Sequence, residues 1–477
     1  MTRHFIPTCA CAALLAAAPA LAQTAEPQSA VATAAVAPDG SEDGGGSTSA
    51  AKKSADEEAQ EALRQALKEG RPVTIQHLRA PDKRGLNTFE SPKDAGAEYT
   101  GFRLDFGANF ASQVQNLRHS NTAEPVVANG VDANQLADIG FGFNNSTANL
   151  TLHAQLAKGV RVQLTSYLSA RHHNETWVKD GYILMDESPI DIKPLNSLMK
   201  YVTLKVGHME INYGDAHFRR SDNGNAIYNP FIGNYIMDAF TTEIGGEVYL
   251  RHKGIIAMGA VMGGEIRGTV LTPEKRGQSY IGKLGFDRQM NEDLRVRLTG
   301  SMYTTKKALS NTLYGGDRAG SRYYFVMENT AATESAQFTS GLLNPGFRNE
   351  VTAIQVNPFV KFRGLELFGV VERAEGKAST ETSRRQMKQF AGDVVYRLGP
   401  GEPLYVGARF NRVQGELAGI SNDITVDRVA IGGGWFITPG LLGKIEYVNQ
   451  EYKDFPAANI RNGGKFHGIM LEGVVAF

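Results

Sequence analysis

From about residue 100 to its last residue the chain repeats one pattern. Short stretches of alternating apolar and polar residues are joined by connections that are by turns short and long. Phe102, Leu104, Phe106, Ala108 and Phe110 alternate with Arg103, Asp105, Gly107 and Asn109. Val160, Val162, Leu164, Ser166 and Leu168 alternate with Arg161, Gln163, Thr165, Tyr167 and Ser169, and Leu294, Val296, Leu298 and Met302 do so with Arg295, Arg297, Thr299, Ser301 and Tyr303. A period of two is that of a strand with one apolar and one polar face. Residues 178–186 and 255–262 alternate poorly, and the pattern does not orient them.

Tight turns are read at Lys158-Gly159, Lys253-Gly254, Arg363-Gly364, Gly399-Pro400-Gly401 and Pro439-Gly440, with slightly longer ones near 188–199 and 287–293. Between them lie long polar connections near 111–137, 170–176, 209–243, 267–277, 305–350, 374–386, 414–423 and 452–463. Seven short plus eight long connections predict sixteen strands. Strict sorting of connections by length, with an even strand number, is the signature of a transmembrane antiparallel β-barrel with short periplasmic turns and long outer loops. Closure is obligatory, because an unpaired strand edge in hydrocarbon costs several kcal/mol per backbone group. The last strand fits: Ile469, Leu471, Gly473, Val475 and Phe477 share one face, and Phe477 is the final residue.

The N-terminal quarter follows other rules. Met1-Thr2-Arg3 and an Ala- and Leu-rich run ending Ala20-Leu21-Ala22 give a secretory signal over residues 1–22. Both cysteines, Cys9 and Cys11, lie inside it. Residues 23–54, rich in Ala, Gly, Ser, Thr and Pro, read as a flexible linker. Residues 55–69 carry good helix formers, with Asp56, Glu57 and Glu58 in the first turn and Lys68 in the last, and Gly70 and Pro72 stop the helix. Residues 55–95 are therefore expected to be a short helix and tether, and residues 96–477 the barrel. No apolar run beyond the signal approaches the ~18 residues of a spanning helix. Fifty basic against fifty acidic residues leave no polybasic footprint for nucleic acid. Glycine, 52 of 477 residues, exceeds the usual ~7 % and points to close backbone approaches.

The terminal strand closing on Phe477 resembles the insertion signal of outer-membrane barrels, which implies recognition by the barrel-assembly machinery. Signal, N-terminal helix and strand number together resemble the porins, in particular the phosphate-selective porin O and P family. The nearest stretch is YVTLKVGHMEINYGDAHF, residues 201–218, with Gly207 in the strand and Gly214 in the turn into the third long loop. Asn212-Tyr213 stands where that family often has Pro. The resemblance implies an outer-membrane location, passive passage of small solutes, no cofactor, and a homotrimer.

In a barrel the polar face points inward. The alternation puts Arg103, Arg161, Lys205, Arg251, Lys283, Arg295, Arg297, Lys361, Arg397, Arg409, Arg428 and Lys444 inside. The inward acids are Asp105, Glu247, Glu366, Glu372, Asp393, Glu446 and Glu472. Twelve against seven predicts a basic lining, with Arg161, Lys205, Arg295, Arg297 and Arg409 facing the pore, and a weak anion preference. The third long loop holds Ile227, Ile232, Ile236 and Met237 among many Tyr and Phe, too apolar for a solvated tip. Folded inward, it makes Asp215, Arg219, Arg220 and Asp222 the constriction; packed on a neighbouring subunit, it leaves the pore open. His172-His173 has no ligand cluster nearby, and no G-x-S-x-G, H-E-x-x-H or CxxC occurs, so no catalytic residue or metal site is assigned. The leading function is passive diffusion of small hydrophilic solutes. The alternatives are a structural barrel tying the membrane to the cell wall, and an outer-membrane hydrolase.

Overall fold

The computed structural model describes residues 55–93, 96–128, 130–170, 176–263, 270, 272–316 and 324–477. The signal, the linker and His172-His173 lie outside the described residues. Helix α1 spans Ala55–Glu69, as its composition predicts. The strands are β1 (Arg103–Ser120), β2 (Val127–Ala128), β3 (Val131–Asp132), β4 (Gly142–Ala157), β5 (Val160–Ser169), β6 (Trp177–Met185), β7 (Val202–Glu210), β8 (Thr242–His252) and β9 (Ile255–Met262). They continue as β10 (Ser279–Gln289), β11 (Leu294–Thr305), β12 (Glu350–Phe362), β13 (Leu365–Lys377), β14 (Arg385–Leu398), β15 (Leu404–Gly415), β16 (Ile424–Thr438), β17 (Leu441–Lys453) and β18 (Lys465–Ala476). β2 and β3 form a small hairpin in the first long loop, and the other sixteen form one closed barrel.

Each barrel strand pairs antiparallel with its neighbours in sequence, and β1 closes the ring on β18. The chain's last residue takes part: Ala108 N donates to Phe477 O at 3.1 Å and Phe477 N to Ala108 O at 3.0 Å. The short and long connections fall where the sequence puts them, and the longest short one carries helix α2 (Lys193–Met199). Boundaries shift by a few residues, as where β13 runs to Lys377 into the connection read from 374, and the largest shift is in β1. β1 runs on to Ser120, whereas the sequence reads a loop from 111. Beyond Phe110 the outward positions become Ser112, Val114, Asn116 and Arg118, so the strand outruns its apolar belt and looks like a loop.

The outward faces are apolar and bare: Phe102, Leu284, Phe390 and Trp435 are 65 %, 69 %, 57 % and 56 % exposed. Such side chains recur on every barrel strand, an apolar surface far beyond the few hundred Å² a soluble monomer tolerates. It is a lipid-facing wall. The two unoriented segments now have causes. In β6 the register shifts between Thr165 and Ser166 of β5, and consecutive Lys179 and Asp180 both turn inward. In β9 the burial alternates but the inner residues Met258, Ala260 and Met262 are themselves apolar, because loops pack against them.

Removing the Phe477 side chain (Phe477→Ala), or the residue itself, is expected to lower the yield of assembled barrel. Heat-modifiable migration on gels and membrane yield measure this, and normal values for both would refute a role for that residue in insertion.

Candidate functional site: the barrel interior

The third long loop folds into the barrel, and nearly all of residues 211–240 are buried. It has little regular structure of its own, so its backbone N–H groups need outside acceptors. The inner wall supplies them. Asp215 N donates to Asn357 Oδ1 (2.8 Å), Ile232 N to Glu446 Oε2 (2.8 Å), Ile236 N to Asn411 Oδ1 (2.6 Å) and Met237 N to Gln389 Oε1 (3.0 Å). Gly224 lies so close to β1 that a Cβ there would sit 2.0 Å from Asn109 O. Described parts of the long loop between β11 and β12 pack above it: Leu343 N donates to Ile236 O, and Tyr324 Oη to Glu446. This second inward loop carries the same sequence signal as the third, since Leu342, Leu343 and Phe347 are again too apolar for a solvated tip.

The stretch read as tether also enters the barrel. Ile75, Gln76, His77, Asn87 and Phe89 are buried. Gln76 joins the β4–β5 turn through Gln155 and Gly159, and Arg161 Nη1 donates to Gln76 O at 2.8 Å. Asn87 donates to Glu366 on β13, and Lys83 N to Pro439 O in the β16–β17 turn. Lys93 Nζ donates to three carbonyls, of Asp186, Met199 and Val202. Burial pushes its ammonium down to about 8. Residues 72–93 thus span the short-turn mouth from one wall to the other. The signal was the spaced apolar set Ile75, Leu78, Leu86 and Phe89.

Wall, loop and N-terminal segment meet at one charge cluster. Arg297 on β11 donates to both oxygens of Glu90 (2.8 and 2.9 Å) and to both oxygens of Asp215 (2.8 Å each). Lys283 on β10 lies 2.7 Å from Asp215 and 3.3 Å from Glu90, and Asp287 bridges Arg297 and Arg295. Three cations meet three carboxylates, so the cluster is neutral. Burial alone would raise Glu90 and Asp215, but Arg297 and Lys283 hold both carboxyls below the usual range.

These partners revise the basic lining. Arg161 pairs with Asp186, Lys205 with Glu247, Arg295 with Asp287, Arg397 with Glu366, Arg409 with Asp393 and Lys444 with Glu472. Glu90, Asp186 and Asp215 are absent from the count of seven wall acids because they lie off the alternating strands, and Asp287 because the sequence pattern reads a turn from 287 whereas β10 runs on to Gln289. The twelve-to-seven excess is thereby largely offset. Of the four constriction residues, Arg220 and Asp222 border the remaining cavity, while Asp215 and Arg219 are sealed against Arg297 and against Asn87 and Glu366. Arg220 is itself held by Asp238 through two bonds of 3.0 and 2.5 Å.

That cavity, ≈ 250 Å³, lies between the N-terminal segment, the third loop and the wall of β1 and β4–β8. Arg161 and Lys205 line it; Arg295, Arg297 and Arg409 do not. Arg79, from the N-terminal segment, does. Its guanidinium lies 3.6 Å over the Tyr228 ring and donates to Gly85 O (2.9 Å) and Phe218 O (3.2 Å). No carboxylate among the described residues pairs with it. Arg428 also lacks a paired carboxylate among the described residues, but each of its three nitrogens donates a hydrogen bond, to Gln450, Asn234 O and Gly341 O, and it does not line this cavity.

No protein-family profile matches the chain, and no curated protein matches it. Solved structures do. An anion-selective porin from Comamonas acidovorans is 12 % identical over 79 % of this chain and 100 % of that one, with a TM-score of 0.49. The outer-membrane channel DcaP of Acinetobacter baumannii is 10 % identical over 80 % and 99 %, TM-score 0.48, and OprB of Pseudomonas putida 11 % over 78 % and 94 %, TM-score 0.47. The chain has the architecture of an outer-membrane barrel.

Arg297→Ala leaves two buried carboxylates, Glu90 and Asp215, to share the single Lys283 ammonium, and removing one partner from a buried ion-pair cluster costs up to about 3–5 kcal/mol. The variant is expected to denature at lower temperature than the parent, read by heat modifiability. Acid should act late. Both carboxyls sit below their unfolded values near ~4, so their contribution is complete above that and is lost as pH falls below it. Hydrogen-exchange protection of residues 72–93, corrected for the intrinsic pH dependence of amide exchange, is expected to match at pH 7 and pH 5 and to fall only in stronger acid.

Proposed function

We propose that the chain is an outer-membrane channel through which small polar and anionic solutes diffuse passively, without cofactor or energy source. The observation that carries this reading is the cavity left beside the third loop, in a lumen otherwise packed with paired charges and buried backbone. Its narrowness favours small solutes. Arg79 supports the anion preference: a cation partly withdrawn from water that lines the cavity, oriented by two carbonyls and a ring, with no carboxylate paired to it among the described residues. Fixed charge acts within about a Debye length, ~10 Å at 0.1 M salt, so a lining residue outweighs loop tips. Assembly by the barrel-assembly machinery, as a homotrimer in outer-membrane lipid, belongs to the same proposal.

The crossing of the short-turn mouth by residues 72–93 favours a second reading, a non-conducting barrel whose N-terminal arm ties the membrane to the cell wall. Planar-bilayer recording separates the two. The mature chain is expected to conduct weakly, and a variant lacking residues 23–93 to conduct several-fold more. Silence in both, from folded protein, would favour the structural barrel.

Selectivity gives a sharper check. Arg79→Gln is expected to move the reversal potential in a KCl gradient toward cations. Arg219→Gln is expected to leave it unchanged, because that guanidinium is sealed on Asn87 and Glu366. Cation preference in the parent protein would overturn the anionic part of the proposal.

A further inference from the structure

The outer wall is not uniform around its circumference. Near the long-loop end of β5–β11 the outward positions carry no Lys, Arg, Asp or Glu among the described residues; Val178, Ile244, Val261, Tyr280 and Met302 stand there, 43–64 % exposed. On β13–β18 and β1 the same zone carries Arg373, Lys388, Arg412, Lys453, Lys465 and Arg118. Only Glu375, Asp427 and Glu451 oppose them there, while Lys377 is matched by Glu350 of β12. The excess is basic and confined to one side.

Its densest part lies on three adjacent strands. Arg373 of β13 and Lys388 of β14 are direct register partners, both facing out. Such side chains have Cβ atoms about 5 Å apart, and like charges so placed are destabilising. Arg412 of β15 lies diagonally beside Lys388, whose direct partner there is Gln414. Arg373 is matched by Glu375, and Arg412 by Asp427 through two bonds of 2.6 and 2.9 Å. Lys388 has no carboxylate partner among the described residues, and Arg384 from the adjoining loop adds a further charge on the Glu375 side. Two residues toward the membrane centre, Phe390 and Phe410 face the lipid, with the Arg412 guanidinium 5.9 Å from the Phe410 ring. The cations therefore stand at the upper edge of the apolar belt, at headgroup depth.

We infer that Arg373, Lys388 and Arg412 form a docking site for the phosphate of a phosphorylated lipid in the leaflet on the long-loop side. An anion between Arg373 and Lys388 converts their repulsion into two attractions. The apolar wall beneath, with Phe390 and Phe410, receives the acyl chains that a free phosphate lacks. Charged groups at the membrane surface recognise anionic headgroups by this combination of field and depth.

The test uses the full mature chain in detergent, with lipid A as probe. Bound lipid is counted by native mass spectrometry for the parent, for Lys388→Gln and for the triple variant Arg373→Gln, Lys388→Gln, Arg412→Gln. Retention is expected to fall about tenfold in Lys388→Gln, roughly one lost charge-assisted hydrogen bond, and further in the triple variant. Gln for Arg288, outward at the opposite end of β10, is expected to change nothing. Dephosphorylated lipid A is expected to bind the parent no better than the triple variant does. Equal retention across parent and variants overturns the proposal. So does equal retention of the dephosphorylated lipid, or displacement of lipid A by an equimolar amount of inorganic phosphate. Lys388→Gln, a single surface change, keeps the test decisive if the triple variant fails to assemble.

Discussion

The structure depends on the inner wall acting as solvent for chain that has no regular structure of its own. Asn357, Gln389, Asn411 and Glu446 stand where water would otherwise be, and they accept hydrogen bonds from the backbone of the third long loop. An unpaired buried amide costs on the order of 1–3 kcal/mol, so about thirty loop residues could not be buried without such acceptors. Lipid outside forces the strands to close. The polar wall inside then decides what fills the closed space.

Charge follows the same logic. Guanidinium and ammonium groups of the wall meet carboxylates delivered by the loop and by the N-terminal segment, and Arg297 gathers Glu90 from one and Asp215 from the other. An isolated charge in such a place is expensive, whereas a paired one with its hydrogen bonds complete is tolerated. The interior is accordingly close to neutral despite the many basic residues on its strands. What remains open is the gap that these pairs leave beside β1 and β4–β8, where Arg79 stands with Tyr228 beneath it and no carboxylate paired to it among the described residues.

The inner and outer faces of one strand answer to different solvents along its length. β15 carries Leu404, Val406 and Phe410 toward lipid and then Arg412 beyond them, while Arg409 and Asn411 face a packed interior. The same change of outward chemistry on β1 is what hid the strand's true end at Ser120. Where loops press on the wall the inner residues turn apolar, as Met258, Ala260 and Met262 do on β9, and the period of two disappears from the hydropathy although it persists in the burial.

The sequence by itself determined the barrel, its sixteen strands, its sorted connections, the closing role of the terminal strand and the need of the apolar third loop for a surface to pack on. Each is a local pattern enforced by a single solvent, since a strand spanning lipid must alternate and a loop with Ile232, Ile236 and Met237 must bury them. Only the tertiary structure decided that this surface is the inner wall and not a neighbouring subunit, and which inward charges remain open to solutes. Arg161 and Lys205 border the cavity and Arg297 and Arg409 do not, because distant chain covers the latter two: Glu90 lies more than two hundred positions from Arg297, and Arg409 Nη1 donates to Gly233 O of the third loop at 2.9 Å. Alternation fixes the side of a strand on which a residue stands. It carries no information about what arrives from the other side.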